Sequence, residues 1–123
     1  MKPMQRIVEI RTYRLKPGSG AAFHALVSQQ SVPLHAAAGM DVVAHGISLH
    51  EADAYYLIRS YESLEQLKTS QRDFYASTAW RQGPREAIVG LIESDANAVL
   101  PLSSEAIDAL RGRPGSRSIE PGG

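Results

Sequence analysis

Ten residues near the start of the chain, Arg6 to Leu15 (RIVEIRTYRL), alternate along the backbone, with Val8, Ile10 and Thr12 on one side and Glu9, Arg11 and Tyr13 on the other. A period of two is strand behaviour, and Lys16, Pro17 and Gly18 end it. The chain must therefore build a sheet, and the segments beyond this strand decide the shape of that sheet.

Phe23, Leu26 and Val27 lie at i, i+3, i+4 spacing and predict a first helix. Pro33 is expected to kink or end it before a last turn closed by Gly39 in a left-handed conformation. Asp41 to Leu49 and Ala54 to Tyr61 are extended runs separated by a polar break, His50 to Asp53, and so predict an antiparallel hairpin. Ser63 followed by Gln66 forms a capping box that starts a second helix, interrupted near Trp80 to Gly83. Pro84 to Ile92 carries one apolar stripe, Ile88, Leu91 and Ile92, and reads as a further helical turn or two. Asp95 to Leu102 is the last strand.

The order is thus βαββαβ with short connections: an α+β, ferredoxin-like arrangement whose first and third strands lie at the centre of a four-stranded antiparallel sheet, with both helices on one face. This domain occupies residues 1–102. Residues 103–123 begin with a short helix carrying Ile107 and Leu110, then turn Arg/Gly/Pro/Ser-rich from Arg111 onward and read as an arm or loose tail.

At 123 residues and 43% apolar content, the chain can build one core and is too short for two. Formal net charge is zero with both signs interleaved, which argues against nucleic-acid and membrane partners. The absence of cysteine removes disulfides, thiolate metal sites and a cysteine nucleophile, and fits a cytoplasmic protein. The basic start, Met1 to Arg6, precedes a strand and not an apolar h-region, so no signal peptide or membrane span is expected.

Sidedness suggests where function sits. Val8, Ile10, Ile58 and Ser60 suit a helix-covered face. The opposite face would then carry Glu9, Arg11, Tyr13, Tyr55, Leu57, Arg59 and Tyr61, with Val43, His45 and Ile47 from the second strand. Such a face is too apolar for open water and too charged for a dry core, so a second copy of the chain is expected to cover it and enclose a small polar pocket.

These residues carry a resemblance. EIRTYRLKPG (Glu9 to Gly18), YLIRSYESLEQL (Tyr56 to Leu67) and the later Trp80-Arg81 resemble the NIPSNAP family over roughly the first hundred residues. The resemblance implies a dimeric α+β barrel and a homodimer, in a superfamily that includes cofactor-independent monooxygenases, polyketide cyclases and haem-degrading enzymes. Arg59 stands where the family usually has an aromatic residue, which adds a second cation beside Arg11 and favours an anionic small molecule.

Arg11, Tyr13, His45, Arg59 and Tyr61 are accordingly the candidate ligand-binding residues, and Glu9 the candidate catalytic base. The competing reading of Glu9, Arg11 and Arg59 is a structural ion-pair network. No metal site is expected, because His45 has no second histidine at ligand spacing on its own element. His24, His35 and His50 are expected at solvated positions. No Walker loop, dinucleotide fingerprint, Gly-x-Ser-x-Gly elbow or His-Glu-x-x-His is present, and no cofactor is expected. Three functions remain open: a binder of a small anionic metabolite, a cofactor-independent monooxygenase, cyclase or isomerase using Glu9, and a dimeric scaffold.

Overall fold

The computed structural model describes residues 5–112. Four strands, β1 (Gln5–Leu15), β2 (Asp41–Ile47), β3 (Ala54–Tyr61) and β4 (Ile92–Ser103), form one antiparallel sheet in the order β2-β3-β1-β4. The two central strands are the first and third, as the ferredoxin-like order requires. Glu9 lies directly opposite Arg59, and Tyr13 opposite Tyr55.

Between β1 and β2 the chain runs through α1 (Gly20–Leu26), a wider π-helical turn (Val27–Ser31) and α2 (Val32–Ala37). Pro33 therefore does not end the helix. It sits in the first turn of α2, where its missing N–H costs little, and the π turn in front keeps the path helical by letting the Val32 N–H reach back to the Val27 carbonyl. Gly39, at φ 77°, makes the expected left-handed closure. At the other end, Gly20 admits no side chain, since a Cβ there would stand 2.0 Å from the Ala52 carbonyl oxygen. That approach lets Asp53 accept from the N–H groups of Gly18 and Gly20 at 2.9 and 3.0 Å, tying the helix start to the β2–β3 hairpin.

The second connection comprises α3 (Leu64–Ala76), α4 (Thr78–Arg81) and α5 (Arg85–Val89). Ser63 caps α3 by accepting from the Gln66 N–H, and the Gln66 side chain in turn accepts from the Glu62 N–H. The last helical turn stops at Gly90, so Ile92 belongs to β4, paired with Leu15, and not to the helical stripe expected from its spacing. Beyond β4, Ser103 caps α6 (Ser104–Arg111). Of the loose tail expected from Arg111 onward, Arg111 itself is the last residue of α6, bonded to Asp41, and residues 113–123 lie outside the described residues.

The expected sidedness is reversed. Tyr13, Leu15, Tyr55 and Tyr61 pack under the helices with Phe23, Val27, Phe74 and Trp80, and Glu9 and Arg59 bond to side chains of α2 and α3. Val8, Val43 and Ile58 lie on the other face, partly covered by α6 through Ile107. Val43 parts from His45 and Ile47 because the β2–β3 register shifts between Val42 and Ala44. Arg111 holds α6 down by a two-pronged contact with Asp41, at 2.8 and 3.1 Å. Among the described residues, no helix is long and apolar enough to cross a membrane.

Candidate functional site

Glu9 is the centre of a buried charge network beneath the helices. It is fully buried, as is Arg59. Its Oε1 accepts from Arg59 Nε at 2.8 Å and from Gln71 Nε2 at 2.9 Å, while Oε2 accepts from Arg11 Nη2 at 3.1 Å. Burial pushes the carboxyl pKa up, but the Arg59 charge, hydrogen bonds from Arg59 and Gln71, and the Arg11 charge outweigh it and hold Glu9 below the usual carboxylate range.

Arg59 Nη1 reaches two further groups, His35 Nε2 at 3.0 Å and the Tyr75 hydroxyl at 2.8 Å. The tautomer of His35 is set by its other side. Nδ1 lies 2.8 Å from the Ser31 carbonyl, which can only accept, so Nδ1 carries the proton and Nε2 accepts from Arg59. Three of the five guanidinium N–H groups of Arg59 are thereby used, and Nη2, buried, has no partner among the described residues. Arg11 Nε is buried and unpartnered as well. Orphaned donors on buried cations are costly. One buried carboxylate faces two guanidiniums, and the second positive charge is met only by the half-exposed Asp95, 3.5 Å from Arg11 Nη1.

Arg11 opens the network to a cleft of about 570 Å³ between α4–α5 and the start of β4. Tyr13, Tyr75, Trp80, Ile88 and Ile92 form aromatic and apolar walls, and Asp95 sits at its margin. Tyr75 joins the two layers. Its hydroxyl accepts from Arg59, which leaves the phenol proton for an acceptor in the cleft that Tyr75 lines.

Of the six candidates, Glu9, Arg11, Tyr13, Arg59 and Tyr61 share the helix-covered face, and Arg11 and Tyr13 reach the cleft. Tyr61 lies behind, 3.1 Å from Gln71 Nε2. His45 is elsewhere. Its Nδ1 lies 2.8 Å from the Tyr55 hydroxyl, and His24 Nδ1 lies 2.7 Å from the same oxygen. One phenol proton serves one imidazole only, so the other must donate. Burial, with His24 next, lowers the His45 pKa.

His24 and His35 thus depart from the solvated positions expected of them, whereas His50 is exposed, bonded to Ser48. His35, Gln71 and Tyr75 escaped sequence reasoning. Their partners lie 24, 62 and 16 residues away, respectively, beyond any local pattern. The available signal was the bulk of the odd-numbered strand positions, Ile7, Tyr13, Leu15, Tyr55, Leu57 and Tyr61, which outweighs that of the even ones. Among the described residues, no group of three or more His, Cys, Asp or Glu is placed to hold a metal.

The state of His35 has a measurable consequence. Burial, and then the Arg59 charge, bring its pKa down to about 4 against the backbone contact with Ser31. Its neutral form is favoured by folding, so its contribution is complete above about pH 6.5 and is lost as pH falls toward 4. At pH 5 the loss should be about 2 kcal/mol relative to pH 7, roughly 8 °C in Tm. Urea unfolding at both pH values measures it, and His35→Gln should remove most of the difference.

The NIPSNAP family model matches residues 8–104, which spans both central strands, the charge network and the cleft. The chain belongs to the NIPSNAP family. No curated protein matches it. Solved NIPSNAP structures share the fold. One from Agrobacterium tumefaciens is 21% identical, with a TM-score of 0.71 over 77% of this chain and 90% of the other. A second from the same organism, described as of unknown function, is 23% identical, with a TM-score of 0.73 over 81% and 90%. A putative antibiotic biosynthesis monooxygenase from Bordetella bronchiseptica is 23% identical, with a TM-score of 0.58 over 79% and 94%. At these identities the likeness is one of fold alone.

Proposed function

We propose that this NIPSNAP protein binds a small organic anion in the cleft, with Arg11 as the contact residue and Arg59, Glu9, Gln71 and His35 as the frame that holds Arg11 and Tyr75 in place. The observation that carries the reading is an aromatic cleft in which Arg11, besides Glu9, meets only a half-exposed aspartate at 3.5 Å, with buried donors on Arg11 and Arg59 left unpartnered among the described residues. A structural ion-pair network alone would gain nothing from those unpartnered donors.

Glu9 is an anchor in this account. A base needs a pKa near the working pH and reach to the substrate, whereas Glu9 is buried, depressed in pKa and bonded on both oxygens. The test is a thermal-shift screen of carboxylates and their neutral amides. Wild type should be stabilised by a subset of the acids and by none of the amides, and Arg11→Met should lose the effect, about tenfold or more in affinity. Equal response of wild type and Arg11→Met would refute the assignment.

The protein is also proposed to be a homodimer, paired through the sheet face away from the helices. Ile10, Tyr56 and Leu100 on that face pack beside the Val8, Val43 and Ile58 cluster and stay half-buried among the described residues. Light scattering should give twice the chain mass of 13.4 kDa, and Ile10→Asp should give the monomer because it would bury an unpaired carboxylate. A monomeric wild type would sink this part.

A further inference from the structure

Resting on that reading, we infer that the ligand is an amphipathic monocarboxylate, an aryl or branched aliphatic acid, whose head group displaces Asp95 from Arg11. Arg11 is held firmly on its inner side and loosely on its outer side. Nη2 is bonded to buried Glu9, but Nη1 faces Asp95 at 3.5 Å. That is longer than the roughly 2.7–2.9 Å of a charge-assisted hydrogen bond. The Asp95 side chain is 52% exposed on an edge strand, whereas that of Arg11 is only 20% exposed. A pair with one exposed partner at this distance holds weakly. A ligand carboxylate entering the cleft can take Nη1 at the length of a charge-assisted hydrogen bond, which Asp95 does not reach.

The walls define the rest of the molecule. From Arg11 the cleft runs along Tyr75, Trp80, Ile88 and Ile92, surfaces that favour an apolar or aromatic body and offer a second charge nothing. The charged groups of the lining balance, Arg11 and Arg85 against Glu93 and Asp95, so a second anionic group meets no surplus cation there. The inner network has one positive charge that only Asp95 offsets, at 3.5 Å, and a displacing carboxylate takes over that role. One carboxylate on an apolar body satisfies both ends.

Calorimetry on the full chain with phenylacetate, phenylacetamide, succinate and inorganic phosphate tests this, with Asp95→Asn alongside wild type. The expected result is saturable binding of phenylacetate, none of the amide, and binding of succinate and phosphate about tenfold weaker or worse. Asp95→Asn should bind phenylacetate about two- to fivefold more tightly, the range of an exposed ion pair removed from competition. Unchanged or weaker binding by Asp95→Asn would overturn the displacement. Tighter binding of succinate or phosphate than of phenylacetate would overturn the class of ligand and leave an anion site standing. Binding of none of the three anions by either protein would overturn this inference and the anion site together.

Discussion

Glu9→Ala should destabilise the protein by about 3–5 kcal/mol, because it strands the fully buried Arg59 guanidinium and takes from half-buried Arg11 its inner partner. Arg59 is fully buried and bonded through Nε to Glu9, so its charge has no route to solvent once the carboxylate is gone. The reverse change is expected to be milder. With Arg59→Met, Glu9 keeps Arg11 on one oxygen and Gln71 on the other, and the loss should be about 1–3 kcal/mol. The double variant should recover about 1–3 kcal/mol relative to the sum of the singles, because neither charge is then stranded. Urea unfolding of the four proteins measures the cycle, and additivity within about 0.5 kcal/mol would mean that the pair is not coupled as described.

The second large effect is at Trp80. Its ring centroid lies 5.4 Å from that of Phe74 and 5.4 Å from that of Tyr75, and the residue is buried while also forming a wall of the cleft. Trp80→Ala should cost about 3–5 kcal/mol through the cavity it opens. Trp80→Phe keeps an aromatic edge against both neighbours and should cost less than half as much, remaining folded for ligand measurements. It should weaken an aromatic acid while leaving the dependence on Arg11 intact. Unfolding midpoints and titrations of Trp80→Phe read the two roles separately; equal stability of wild type and Trp80→Ala would show that the residue is not the packing anchor described.

Much of the fold was legible because its signals are local. The alternation of Arg6 to Leu15, the Ser63–Gln66 box and the glycines at the turns each act within a few residues, and together they order the elements correctly. The boundary at Ile92 was not legible, since an apolar residue following Ile88 at helical spacing fits a helix until its pairing with Leu15 is known. Pro33 misled for a related reason: a π turn preceding a proline leaves no mark in composition.

The candidate site was legible in membership more than in orientation. Glu9, Arg11, Tyr13, Arg59 and Tyr61 do share a face, but the usual expectation that a helix-covered face is apolar puts charged residues on the side away from the helices. The helices instead supply the polar partners, His35, Gln71 and Tyr75, that offset the burial of those charges. The chain thus places these charged residues between its own sheet and helices, with the more aliphatic face on the side of α6.

The central claim is that Glu9 fixes both guanidiniums while Arg11 alone remains available to a ligand, and nitrogen NMR of the arginine Nε–H groups tests it most directly. The account predicts a slowly exchanging Arg59 Nε–H that barely moves when phenylacetate is added, and an Arg11 Nε–H that shifts in a saturable manner. A fast-exchanging Arg59 signal, or an Arg11 signal that stays in place while the acid binds, would contradict it.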